Sequence, residues 1–342
     1  MLGVVGILLL VAAACAVGSL NRDVFSAKGF VSSYLHSLER HDAISALSMP
    51  GVIPKPADLP VGMSLALLRS SALGNISDIR IVDEAAQPDG TRIVSASYTI
   101  NSQPAQGMFR VIHTDNSFLF FENWAFATPP LGTITVNVMH DTVFSVGTSG
   151  LIDVRTTHPA LVDVDTKEDT TTEAAARPSS FGATGVFLAF APGSYTFGHT
   201  SRLLTAKNAT VTVSGPRSAA DATIDVQANA AFTADVQDEV NAFLDECVKQ
   251  VVLQPTGCPF GYQTGNRLVG EPTWSVLSYP VVQVVPGETG WVVRNAVAQV
   301  ELRGELQSLF DGSITPLDDT IDAIFNLDIT IKPDRSLLIS II

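Results

Sequence analysis

The chain has 342 residues, with 34 Asp and Glu against 20 Lys and Arg and a net charge of −14. That balance excludes nucleic acid and anionic lipid surfaces as partners, because both demand clustered Lys and Arg. The length exceeds one ordinary small domain and predicts two or three, each large enough to bury a core.

From Leu2 to Leu20 the chain reads LGVVGILLLVAAACAVGSL, without a charge and with Ser19 as its one polar side chain. A helix of that length spans about 28 Å at about 1.5 Å per residue, close to the hydrocarbon thickness of a bilayer. Length therefore favours a retained transmembrane anchor over residues 1–20, with a single pass and the bulk of the chain extracytoplasmic at the cell membrane. Two other readings fit the same residues. A cleaved signal could use Ala14-Cys15-Ala16, and Ala12-Ala13-Ala14-Cys15 resembles a bacterial lipobox with Ala12 where Leu is preferred. Neither has the basic residue such segments carry ahead of the apolar run. Orientation lacks its usual positive-inside signal for the same reason, and a basic stretch ahead of Met1 would supply it.

Past the anchor, a helix is predicted over about 26–47, with Phe30, Tyr34 and Leu38 on one stripe and Val31 and Leu35 beside it. His36, His41 and Asp42 fall on or near its solvated side. Met49-Pro50-Gly51 stops it. Asp58 as N-cap and Pro60 in the first turn predict a second helix running through Leu65, Leu67 and Leu68 to Gly74. The period then changes to two. Ile79–Ile81, Ile93–Ile100, Gly107–His113 and Phe118–Phe126 read as four antiparallel strands, with a turn at Pro88-Asp89-Gly90. Phe118, Phe120, Phe121 and Trp124 are assigned to the core, since large aromatics carry much of any core's buried area.

Thr128-Pro129-Pro130 marks a stiff boundary, after which short strands are predicted at 133–138, 142–146, 150–154, 186–190, 194–199 and 209–213. Between them, 163–180 is rich in Asp, Glu, Thr and Ala and reads as a mobile acidic loop. A third segment opens with a strand at 223–226 and a helix from Thr233 to Leu253, whose stripe is Val236, Val240, Phe243, Leu244, Cys247 and Val251. Four β stretches follow at 273–285, 290–307, 321–331 and 336–342, joined by Pro286-Gly287, Asp311-Gly312 and Pro333-Asp334.

Cys247 and Cys258 form an even pair in a chain read as exported, which predicts a disulfide between the end of the long helix and the turn after it. No C-x-x-C and no nearby His completes a zinc set.

The fold class expected from this order is α+β: an N-terminal transmembrane helix, then two helix-plus-curved-antiparallel-sheet domains, at 21–128 and 217–342, flanking a small all-β domain at 129–216. The segments FVSSYLHSLERHDA, ENWAFATPPL and VNAFLDECVKQVVLQPTGCPFG carry a family resemblance. The layout resembles uncharacterised single-pass envelope proteins of actinobacteria with tandem nuclear transport factor two-like cone folds. More distantly it is similar to the staphylococcal membrane protein associated with teicoplanin resistance, without that protein's zinc ribbon.

Such cones include enzymes that move protons with a cavity carboxylate or His, which makes His113, Asp83 and Glu84 the residues to test. The chain has no G-x-S-x-G, H-E-x-x-H, G-x-x-x-x-G-K or G-x-G-x-x-G, and Asp318-Asp319 and Asp328 lack the loop spacing of a calcium site. No catalytic, cofactor or metal residues are assigned. The expected function is a non-catalytic binding or scaffolding module of the bacterial cell envelope, held by its N-terminal helix and contacting an envelope protein, peptide or cell-wall polymer. The alternative is a cone-fold isomerase or hydrolase with its site in one cavity.

Overall fold

The computed structural model describes residues 26–55, 62–117, 121–157 and 181–342. The proposed anchor at 1–20 and the acidic loop at 163–180 lie outside the described residues. Among those described, no helix is long and apolar enough to cross a membrane.

Strand dominates. The protein is 52% strand and 15% helix, which overturns the α+β assignment: this is a mostly-β chain with curled sheets. Two physical causes account for the difference. Helices are shorter than their apolar stripes imply, and strands extend beyond the expected stretches, the one at 107–113 running from Gln103 to Ser117.

The first helix shows the shortening. α1 (Ala27–Glu39) starts at Ser26, whose Oγ accepts from the Gly29 amide at 3.1 Å, and buries Val31, Tyr34, Leu35 and Leu38 along one face. It ends before the expected boundary because His41 takes a left-handed φ of 55°. Asp42 then caps the six-residue α2 (Ala43–Ser48), its Oδ1 accepting from Ser45 N at 3.0 Å. The predicted helix from Asp58 is not found in its described part. Met63–Ser64 is instead a short strand, β1, followed by a single 3-10 turn at Ser70–Ala72. Pro54, Pro56, Pro60 and Gly62 crowd this stretch and oppose a helix.

β2 (Ile76–Ala86), β3 (Thr91–Ile100), β4 (Gln103–Ser117) and β5 (Phe121–Phe126) form an antiparallel meander in that order. α1 covers it through aromatic contacts: Phe30 and Tyr34 stack at 4.9 and 5.1 Å from Phe126, and Tyr34 lies 6.2 Å from Phe109. Trp124 is buried, as assigned, with the Arg92 guanidinium 5.2 Å from its ring.

The next strands are β6 (Leu131–Met139), β7 (Val143–Val146), β8 (Ile152–Asp153), β9 (Gly182–Phe190), β10 (Gly193–Thr200), β11 (Leu204–Val213) and β12 (Ala219–Ala228). With β1 they make an eight-stranded sheet ordered β1-β9-β6-β12-β11-β10-β7-β8. Phe144 of β7 and Phe187 of β9 have ring centroids 5.4 Å apart although four strands separate them in that order. A flat sheet would hold them about 24 Å apart at about 4.8 Å per strand, so the sheet curls onto itself and Phe144, Phe187 and Phe197 fill its interior. Sequence reading placed 223–226 at the start of the last segment. The structure puts β12 in the middle of this sheet, parallel to β6 with Ala222 opposite Val136.

The chain divides into two compact units. The first holds the described residues up to 157, with Gly182–His199 and Ala206–Asp225, so α1, its meander and most of the curled sheet belong together. Buried tyrosines bind them: Tyr34 Oη donates to Pro130 O at 2.8 Å, and Tyr98 Oη to Ser214 O at 2.5 Å.

The second unit contains Thr200–Thr205 and Val226–Ile342. α3 (Ala230–Cys247) begins three residues earlier than its apolar stripe implied, because Asn229 caps it with Oδ1 accepting from Phe232 N at 3.0 Å. It ends at Cys247, which is bonded to Cys258 across 11 residues with Cα atoms 5.8 Å apart. β13 (Arg267–Ser278), β14 (Val285–Pro286), β15 (Trp291–Gln307), β16 (Ile314–Ile331) and β17 (Leu337–Ile341) follow, in the order β13-β15-β16-β17 with β14 beside β15. Val236, Val240 and Leu244 are buried on the helix, and Phe232 meets Trp291 at 5.6 Å. Gln237 ties helix to loop by donating to Pro280 O at 2.8 Å and accepting from Val282 N at 3.1 Å.

Candidate functional site

The residues singled out from sequence do not converge. Glu84 lies opposite Val94, and Val94 opposite Phe109, whereas His113 sits four residues further along β4 beside Trp124. That offset is about 13 Å along the strand, with two strand spacings across, far beyond the reach of one proton. Glu84 is held by Arg92 and His36 by Glu39, both on the surface. Asp318 approaches Arg303 at 3.7 Å, and Asp322 accepts from Gln299 at 3.0 Å, so these acids of β16 serve its exposed face. Among the described residues, no group of three or more His, Cys, Asp and Glu could hold a metal ion.

The structure assembles two features that sequence reading did not. One is a polar cluster at the end of the curled sheet. His199 is 2% exposed, with Nδ1 3.0 Å from Val143 O and 3.6 Å from Asp141 Oδ2. His140 takes a left-handed φ of 65° in the turn after β6, and its Nδ1 lies 3.0 Å from Asp225 Oδ1 on β12. Burial pushes the Asp141 carboxyl above the usual carboxylate range, against the pull of the Thr142 amide and His199; Asp153 adds to the rise. Chemically this is a His–Asp contact already engaged with the strand backbone. It joins β7, β10 and the turn after β6.

The other is a groove of about 700 Å³ in the second unit. Its floor is Phe325 and Leu327 of β16 with Leu337, Ile339 and Ile341 of β17. Its opposite wall is α3, which contributes Val240 and Phe243 below and Asp235, Asp238 and Glu239 at the rim. The pattern follows from two periods. Positions 236, 240 and 244 of the helix go to the core, which leaves 235, 238 and 239 on the flank facing the sheet edge. Alternation along β17 puts Leu337, Ile339 and Ile341 on the helix side, opposite Ile331, Ile329 and Leu327. Arg202 closes one end through a 2.8 Å ion pair with Asp235. Among the described residues, Asp238 and Glu239 take part in no ion pair.

β17 is also the outermost strand of its sheet. Ile342 and Asn326 exchange both backbone hydrogen bonds, at 3.0 and 3.3 Å, which fixes the parity of the ladder. Residues 338, 340 and 342 therefore bond inward to β16, while the N–H and C=O groups of Leu337, Ile339 and Ile341 point outward. The same three residues, together with Leu338, line the groove. Its elements come from positions about a hundred residues apart, so no local motif announces it.

No protein-family model, curated protein or solved structure matches this chain.

Proposed function

We propose that the chain is a non-catalytic binding module working outside the cytoplasm, at the cell envelope. The observation that carries this reading is the groove between α3 and the open edge of β17. It combines apolar floor, charged rim and unsatisfied backbone, the mixture by which an exposed sheet edge takes up another chain. The compartment is supported by the Cys247–Cys258 bond, which belongs to an oxidising environment, and by the uncharged run from Leu2 to Leu20. The resemblance to actinobacterial envelope proteins supports the same placement.

The enzymatic alternative would rest on Asp141 and His199. That pair is weaker support, because His199 is buried and its Nδ1 lies within hydrogen-bond distance of the Val143 carbonyl.

The test is capture of the full chain from its own membranes, run in parallel with the groove variant Ile339→Lys. Material held by the native chain and absent from the variant supports the reading, provided the variant retains its disulfide. Identical material in both would sink it.

A further inference from the structure

Resting on that reading, we propose that the groove binds an extended cationic segment of a partner protein, which adds as a strand to β17. Three observations converge on this occupant. Leu337, Ile339 and Ile341 direct both their side chains toward the groove and their free backbone groups toward the open edge. A strand laid along that edge would pair with the same three residues and place every second side chain beneath α3. Those that meet Phe243, Phe325 and Leu327 must be apolar, and those that reach the rim meet Asp238 and Glu239.

Charge decides the positions on that same face nearest the rim, because the alternate side chains leave on the far side of the sheet. Asp238 and Glu239 stand over the groove without an ion pair among the described residues, while Asp235 is already matched by Arg202. Desolvating two carboxylates beneath an incoming chain is costly unless that chain brings cations. A second copy of this protein is the competing occupant, since an edge strand also pairs with itself. The net charge of −14 and the acidic rim on both copies oppose it. Leu338 and Ile342, 49% and 60% exposed, lie beside the edge and extend the apolar surface a pairing strand would cover.

The probe is a synthetic peptide of about eight residues with Val and Lys on one face and Ser on the other, long enough to cover the five residues of β17. It is titrated into the full chain by fluorescence anisotropy. Binding should occur, weaken as salt rises, and fall about tenfold in the double variant Asp238→Asn, Glu239→Gln. The same peptide N-methylated at alternate amides should not bind, because methylation removes the donors a strand needs while leaving charge and apolar content in place. That control acts on the probe, so it does not depend on any variant folding.

Equal binding of the N-methylated peptide would overturn strand addition. Equal binding of the same peptide with Glu in place of Lys would overturn the charge argument. Dimerisation of the free chain, suppressed by Ile339→Lys, would assign the edge to a second copy. Each of these outcomes leaves the broader reading standing if capture from membranes still yields a groove-dependent partner. Peptide binding without such a partner would sink the broader reading instead.

Discussion

The molecule packs a helix on an antiparallel meander twice, and the two solutions differ in what closes them. In the first, α1 covers β2–β5 and its Tyr34 is completely buried, donating to the carbonyls of Pro130 at 2.8 Å and Ala191 at 3.3 Å. Burial drives the Tyr34 phenol far above its ordinary pKa, so it stays a donor at any accessible pH. In the second, α3 is tied down by the Cys247–Cys258 bond and by Gln237, and the space beside its acidic flank stays open as a groove. A polar side chain aimed at neighbouring backbone closes one region. A covalent staple at the helix end secures the other and leaves an edge free for use.

The largest expected effect tests the first closure. Tyr34→Ala should cost about 3–5 kcal/mol, the usual range for emptying a large aromatic site. Tyr34→Phe should cost about 1–3 kcal/mol, because Ala191 O would lose its tyrosine donor in a buried site, while Pro130 O keeps the Ala191 amide at 3.0 Å. Urea unfolding measures both. A loss in Tyr34→Phe as large as that in Tyr34→Ala would mean the hydroxyl alone holds the region, whereas no loss would remove the tyrosine from the comparison.

The staple comes next. Closing 11 residues restricts the unfolded chain enough to contribute about 3 kcal/mol, so replacing both Cys247 and Cys258 by Ala should lower stability by about that much. Hydrogen exchange locates the effect. Amides of β15 and β16 should lose protection while those of β3 and β4 keep theirs; uniform loss would contradict a staple that acts on its own region.

A matched pair of glycines sharpens the contrast further. Gly51 and Gly257 both take left-handed φ, at 80° and 73°. A Cβ on Gly51 would meet Phe126 O at 2.3 Å and its N at 2.8 Å, whereas a Cβ on Gly257 meets nothing within 4 Å. Gly257→Ala should therefore cost about 1 kcal/mol, the strain of the left-handed region alone. Gly51→Ala should cost about 2–3 kcal/mol, since backbone must also move. Equal losses in thermal unfolding would mean that the chain around Gly51 yields freely.

Local grammar carried the sequence reading a long way. The α1 stripe of Val31, Tyr34, Leu35 and Leu38, the turn at Pro88-Asp89-Gly90 and the pairing of Cys247 with Cys258 all stand in the structure. What sequence could not show depends on distant partners. β12 pairs in parallel with β6 some eighty residues earlier, and nothing in AADATIDVQA names that neighbour. The break at His41 has no Gly or Pro to signal it, and Asp42, expected on the solvated side of one continuous helix, is instead the cap of the next. Fold class differs because strand length is set by partners: β15 matches the expected 290–307, but β2 and β4 run 11 and 15 residues where 79–81 and 107–113 are expected, and β16 begins at Ile314 rather than 321. The groove fails to show for the same reason, as α3 and β17 meet only after four intervening strands have been laid down. A lone His in a turn, as His140, or on a strand, as His199, has no local pattern to mark it; only the fold brings Asp225 and Asp141 to them.

The smallest effect separates the regions by the sign of their pH dependence. Asp141, in the first unit, has its pKa raised by burial, so the folded state prefers the protonated carboxyl. Its contribution is fully present below the ordinary carboxylate pKa of about 3.9 and is lost as pH rises through the raised value. Asp334, in the turn before β17, has its pKa lowered by the Ser336 hydroxyl and amide, which donate at 2.7 and 2.9 Å. It works the other way: its contribution is present above the ordinary value and disappears as pH falls through the lowered one. Asp334 is fully exposed and screened by solvent, so its effect should be the slighter. Unfolding measured from about pH 3 to 7 should show Asp141→Asn removing a decline toward neutral pH, and Ser336→Ala removing a gain. A pH profile unchanged by the first substitution would mean that the Asp141 carboxyl is not the group responsible. A decline that survives both substitutions would mean that the buried carboxyl is not what distinguishes the two halves of the chain.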